Sequence, residues 1–201
     1  MTTFYLMRHG TRESREENTS LSDVGIEQVE RTAEYLKTKI VKVIYTSPLK
    51  RTQLTAEIIA RRLKLRVITD DRLKERLNWG DRKGESFDDF QKEWIQTERD
   101  RQYRPPLGDS SYDTGNRMKA ALDEIAETKN DSVIIVSHGG AIGDFLRNVF
   151  HENKLQFVSD PVTKTKYINV LECSLTTVQK DKNTYRLKKF NDIGHLPIPV
   201  I

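Results

Sequence analysis

An α/β fold, a three-layer α/β/α sandwich around a mostly parallel central sheet, is predicted by three observations in this 201-residue sequence. Residues 4–7 and 133–136 are short, continuous apolar runs, the pattern of strands covered on both faces in parallel sheets. Stretches with helical apolar spacing alternate with such runs. The last apolar stretches are mixed with polar residues, as strands toward a sheet edge are.

The elements follow in order. After the strand at 4–7 and a polar loop, Ser22 can cap a helix with Asp23 in its first turn and an approximate stripe of Val24, Val29, Ala33, Leu36 and Ile40. Residues 43–45 read as the second strand. Ser47-Pro48 marks the next helix entry, with Leu49, Thr52, Ala56, Ile59, Ala60 and Leu63 as its packing face. The third strand is predicted at 65–68. Periodicity fades over about 70–116, where glycine, proline and charge accumulate around one helix at 87–99; such insertions commonly build the rim of a substrate site. A helix at 116–127, a strand at 132–136 and a helix at 141–150 complete the alternation, and strands are predicted at 167–172, 175–179 and 185–190. Residues 1–201 read as one domain carrying that insertion.

Apolar residues make up 36% and charged residues 32%, polar for a globular enzyme yet with enough apolar segments to argue against disorder. Cys173 is the only cysteine, which excludes an internal disulfide and any metal cluster built from thiolates alone. The net charge of +4 is spread evenly, with 20 basic and 18 acidic side chains in residues 1–100. Without a basic tail or patch, nucleic acid is not the expected partner. No run of roughly 18 apolar residues could span a membrane, and residues 1–3 lead into the first strand without a signal-like stretch; the expectation is a cytoplasmic protein. Oligomeric state stays open, with a homodimer among the alternatives.

Two strand ends carry chemistry. The first runs into Arg8-His9-Gly10-Thr11, and glycine permits close backbone approach while arginine can hold phosphate bidentately beside a nucleophilic imidazole. The other strand, at 132–136, runs into Ser137-His138-Gly139-Gly140, where ligands gather in open α/β sheets. Arg51 falls in the first turn of a helix, a position the helix dipole does not favour for a cation and an anionic partner would explain. Glu75 could protonate a leaving oxygen if the fold turned it toward His9. His151 and His195 lack metal-ligand spacing, no glycine-rich nucleotide loop is present, and Trp79 and Trp94 read as packing for the insertion.

In their order and spacing these blocks resemble the histidine phosphatase superfamily, the phosphoglycerate mutase-like proteins. The resemblance spans Arg8-His9-Gly10, residues 21–28, Ser47-Pro48-Leu49-Lys50-Arg51-Thr52 with Thr55-Ala56, Leu73-Lys74-Glu75, residues 136–140 and a late segment containing His195-Leu196. It implies a phosphoglycerate mutase-like fold and a phosphomonoesterase of the phosphatase branch, acting without metal or other cofactor on a small phosphorylated metabolite. His9 would be the nucleophile, Arg8, Arg51 and His138 its pocket, and Glu75 the proton donor, so that His9, Glu75 and His138 carry catalysis. Thr11 would join Arg8 and Arg51 as a phosphate contact. The chain departs from the family after Arg8-His9-Gly10, where Thr11 follows at once, and after Glu75, where Arg76-Leu77-Asn78-Trp79-Gly80 replaces the usual pattern and makes Glu85 the back-up acid. Arg82, Lys83, Arg101 and Arg104 are candidates for an anionic substrate tail. The alternatives are phosphoglycerate mutase-type transfer, which the absence of a long tyrosine-containing insertion argues against, and a non-catalytic phosphoryl-binding regulatory protein.

Overall fold

The structure is a computed structural model and describes residues 1–14, 18–182 and 184–196. Its central sheet holds β1 (Thr2–Arg8), β2 (Val43–Thr46), β3 (Val67–Thr69), β4 (Ser132–Ser137), β7 (Leu175–Asp181) and β8 (Thr184–Asp192), in the order β3-β2-β4-β1-β7-β8. Pairings β3–β2, β2–β4 and β4–β1 are parallel, whereas β7 and β8 continue the sheet antiparallel. The edge character of the late segments is thus explained by a hairpin at one side of a parallel core. A separate two-stranded ribbon pairs β5 (Val158–Ser159) with β6 (Lys166–Tyr167).

Strand alternation separates two apolar layers. Val133 and Ile135 of β4 face α4 (Ser111–Glu127) and α5 (Gly139–Val149), while Ile134 and Val136 face α1 (Asp23–Leu36) and α2 (Lys50–Leu63). These are the three layers the alternation predicts. Phe4, Leu6 and Met7 of β1 are fully buried, and each such side chain contributes about 1.5–3 kcal/mol relative to exposure. Helices α1, α4 and α3 (Phe87–Arg99) start at serines whose hydroxyls accept the N–H of Gly25, Asp113 and Asp89. Such a cap contributes about 1 kcal/mol. By contrast, α2 and α5 begin at Leu49 and His138 with no side-chain cap, and both beginnings lie where the parallel strands end.

Four expectations shift for local reasons. Val24 and Ile40 are exposed: Gly25 and Thr32 take the buried positions of α1, and Ile40 lies beyond its end. The third strand starts at Val67 because Lys64 closes α2 in the left-handed region and the Leu65 N–H bonds back to Ala60. Helix α4 begins at Ser111, five residues before the predicted 116, since Ser110 and Asp113 cap each other. Of the strand expected at 167–172 only Tyr167 pairs. There the backbone groups are taken by side chains instead, Asn191 bonding both Leu171 N and Asn169 O and Arg8 bonding Val170 O.

Candidate active site

Strands β1 and β4 run parallel with Arg8 opposite Ser137, so the next residues, His9 and His138, emerge side by side at their C-terminal ends. Their rings meet edge to face with centroids 5.4 Å apart. His9 Nδ1 lies 2.8 Å from the Gly10 carbonyl, which can only accept, so Nδ1 carries the proton. Nε2 is then the lone-pair atom, and it accepts from Arg51 Nε at 3.2 Å. Burial first, and then Arg8 and Arg51, hold His9 well below the ordinary histidine value, so its ring is neutral. A single tautomer with a nucleophilic nitrogen results. Gly10 is required beside it because a Cβ there would stand 2.6 Å from the Gly25 carbonyl.

Cationic groups frame that nitrogen. Arg51, on the first turn of α2, donates through Nη2 to Asn78 Oδ1 at 3.2 Å, and burial lowers its pKa to about 10. Arg8 donates through Nη1 to the Val170 carbonyl at 2.6 Å and pairs through Nη2 with Glu172. His138 is fully buried behind His9, held below its ordinary value by burial and Arg51, with Nε2 2.8 Å from Ser47 Oγ. Three buried nitrogens of this frame, Arg8 Nε, Arg51 Nη1 and His138 Nδ1, have no hydrogen-bond partner. An unmade buried hydrogen bond costs about 1–3 kcal/mol, and groups left so in a native protein call for a ligand or a mechanistic reason.

Glu75 reaches the same cavity from the insertion. Its two oxygens accept the N–H groups of Gly140, at 3.0 Å, and of Arg76, at 3.0 Å. The strand end holds the carrier segment, because Ser137 Oγ donates to the Leu73 carbonyl at 2.8 Å. Arg117 of α4 holds it from behind, bonding the carbonyls of Arg72, Lys74 and Glu75. Gly140 must lack a side chain, since a Cβ would stand 2.5 Å from Glu75 Oε1 and 2.8 Å from the Trp94 ring edge.

The cavity is open and encloses about 720 Å³. Arg8, His9, Thr11, Arg51 and Glu75 line it, while His138 supports it from the core. Both donors of Thr11, N–H and Oγ1, go to Gln28 Oε1 at 3.0 Å. Glu85 lies elsewhere, paired with Arg82 at 3.1 Å and lining a separate narrow crevice with Leu77 and Pro105. Of the basic residues considered for an anionic tail, none lines the cavity. His195 docks on α1, 3.0 Å from Thr32 and stacked on Tyr35, and His151 is exposed at a turn. Cys173 is buried with its thiol pushed up to about 12 by burial, which leaves it unreactive. Among the described residues no group of three or more His, Cys, Asp or Glu is arranged to hold a metal ion.

Sequence reasoning assigned no role to Ser47, Asn78, Arg117 or Glu172. Ser47 lay inside a recognised block and could have been found from its place at a strand exit. Asn78, Arg117 and Glu172 carry no local signal, because each acts through a partner distant in the chain.

A curated relative from Yersinia pestis, named "Probable phosphoglycerate mutase GpmB", is 29% identical over 98% of this chain and 96% of its own. Among solved structures, a mycobacterial glucosyl-3-phosphoglycerate phosphatase superposes with a TM-score of 0.74 at 22% identity, covering 95% of this chain and 99% of that one. A phosphoserine phosphatase mutant from Entamoeba histolytica gives a TM-score of 0.68 at 22% identity, covering 98% of this chain and 100% of that one. These structures share the three-layer fold. Residues 4–193, which include all of the site, match the family model of the histidine phosphatase superfamily, branch 1, so the chain belongs to that family of small-substrate phosphomonoester hydrolases and phosphotransferases.

Proposed function

We propose that the protein is a metal-independent phosphomonoesterase acting on a small phosphorylated metabolite through a phosphohistidine at His9. The observation that carries this reading is the His9 Nε2 lone pair, held in one tautomer by the Gly10 carbonyl and facing Arg51. In the first step Nε2 bonds to phosphorus, the ester P–O bond breaks, and protonated Glu75 gives its proton to the leaving oxygen. Water then attacks phosphorus, Glu75 takes back a proton, and the P–N bond breaks to release phosphate and neutral His9. Arg8 and Arg51 supply the donors for the equatorial oxygens from the cavity wall, and His138, buried behind His9 with Nδ1 unpartnered, backs them from the core, with positive charge coming from the protein itself. Thr11 contributes to the wall and reaches phosphate only by giving up Gln28. Glu75 is preferred over Glu85 as the acid because it shares the cavity with His9. The whole of 1–201 is read as one domain, with the insertion at about 70–116 supplying the acid.

Mutase-type transfer is the second reading, favoured by the name of the Yersinia relatives. Phosphate release from p-nitrophenyl phosphate in excess chelator, measured beside His9→Ala, tests the first. Release confined to the parent is expected. Equal release from the variant, or loss of parent activity on chelation, would overturn it.

A further inference from the structure

Helix α3 is amphipathic, yet its apolar face does not enter the core. Phe87, Phe90, Trp94 and Ile95 belong to neither apolar layer; with Gln91 and Glu98 at the same helical spacing they line the cavity. The aromatic rings form a continuous ladder: Trp79 meets Phe87 at 5.0 Å between centroids, Phe87 meets Phe90 at 6.2 Å, and Phe90 meets Trp94 at 6.1 Å. Trp94 is anchored from behind by the fully buried Arg76 guanidinium, 4.1 Å from its ring centroid.

This ladder begins at the point of reaction. The Trp94 ring edge and Glu75 Oε1 both abut the position a Cβ on Gly140 would occupy. A leaving group departing past Glu75 therefore meets Trp94 first and the phenylalanines next.

Charge on the cavity wall is arranged to match. Among the described residues the cations lining the cavity are Arg8, Arg12 and Arg51, and Arg12 lies near enough to His9 and Arg51 to depress both their pKa values. All three thus serve the phosphate end. Three of the insertion's cations are tied off outside, Arg82 by Glu85, Arg104 by Asp113, and Arg101 by Ser111 and Asn148, and Lys83 does not line the cavity. Of the carboxylates on the wall, Glu98 is paired with Arg76 and Arg147 and Glu172 with Arg8, which leaves Glu13 and Asp160 to disfavour a second anionic group.

Resting on the phosphatase reading of this site, we propose that its substrates are phosphomonoesters whose leaving alcohol carries an uncharged aromatic ring and no carboxylate. Ring stacking on the α3 ladder supplies the selection, and phosphoglycerates are disfavoured.

The test uses esters of primary alcohols, so that leaving-group acidity does not decide the result: 2-phenylethyl phosphate against n-propyl phosphate, with 3-phosphoglycerate as the carboxylated probe. The parent should show kcat/KM about tenfold or more higher for the phenylethyl than for the propyl ester, with 3-phosphoglycerate lowest. Phe90→Ala and Trp94→Ala, each checked for folding by thermal denaturation, should lower the phenylethyl-to-propyl ratio at least about threefold. Phe90→Ala guards against a folding failure at Trp94, whose ring also covers Arg76. His9-dependent release without preference for the ring, a preference for 3-phosphoglycerate, or an unchanged ratio in a folded variant would overturn this inference while leaving the phosphatase reading intact. No His9-dependent release from any of the three esters would overturn both.

Discussion

The two ends of the cavity are built by different means. At the phosphate end, His9, Arg51 and His138 come from the ends of buried parallel strands and the helix after β2, and each is nearly or fully buried. Their positions are set by sheet register and by the uncapped starts of two helices. At the other end, Trp79, Phe87, Phe90 and Trp94 are half-buried and belong to neither core layer, although Leu73, where the insertion leaves the sheet, still packs into one of them. That wall is fastened by charged side chains, chiefly Arg76 with Glu98 and Asp144. A rigid electrostatic floor suits chemistry common to many esters, whereas a wall outside the core can change without disturbing it.

Glu75 sits on the seam between the two, and replacing it gives the largest expected effect. Glu75→Gln should lower kcat/KM for a primary alkyl ester by about 10²–10⁴, with far less loss on p-nitrophenyl phosphate, whose leaving group needs no proton. Equal losses on both esters would remove Glu75 as the acid. Arg51→Ala breaks the floor itself and should cost about 10²–10³ in kcat/KM on both esters alike. A loss confined to one ester would move Arg51 from the phosphate end to the wall.

Breaking the wall should cost stability instead. Arg76→Ala leaves Asp144 without its buried cation and Glu98 with Arg147 alone, and uncovers Trp94, with a destabilisation of about 3–5 kcal/mol read from chemical denaturation. A change below about 1 kcal/mol would show that the network does not hold the insertion.

The smallest effect concerns pH. His9 and His138 stay neutral in the fold, both held below the usual value by burial first, while the unfolded chain takes up protons below about 6.5. The unfolded state then binds more protons, so stability falls on acidification, by at most about 1.4 kcal/mol per pH unit for each histidine. Asp144, pushed up to about 7 by burial, works oppositely, its contribution being lost as pH rises toward that value. Denaturation midpoints at pH 7.5 and 5.5 should therefore converge in a His9→Asn, His138→Asn double variant relative to the parent. An unaltered difference would mean that neither ring is held neutral.

The same contrast explains what could be read in the sequence. Every floor residue lies at a strand exit or a helix start, so Arg8, His9, Arg51 and His138 stand in local contexts that announce them, and the continuous apolar runs locate the strands they terminate. The helix at 87–99 was legible in the sequence, but Trp94 within it read as packing for the insertion and its phenylalanines drew no reading, because an apolar face does not tell what covers it. Glu75 could be named from the sequence only on the condition that the fold turned it toward His9, and resemblance gave it the role, since its hold on Gly140 depends on two segments that meet only in the fold. The irregular course of residues 168–172 was hidden for a similar reason, as its backbone is claimed by Arg8 and Asn191.

The central claim is a covalent phosphoryl group on His9, and rapid acid-sparing quench of the parent with ³²P-labelled phenylethyl phosphate, followed by peptide mapping, tests it directly. The account predicts alkali-stable, acid-labile label on the peptide containing His9, formed within one turnover and discharged to phosphate by water. Turnover without protein-bound label at His9, or with label on another residue, would contradict it.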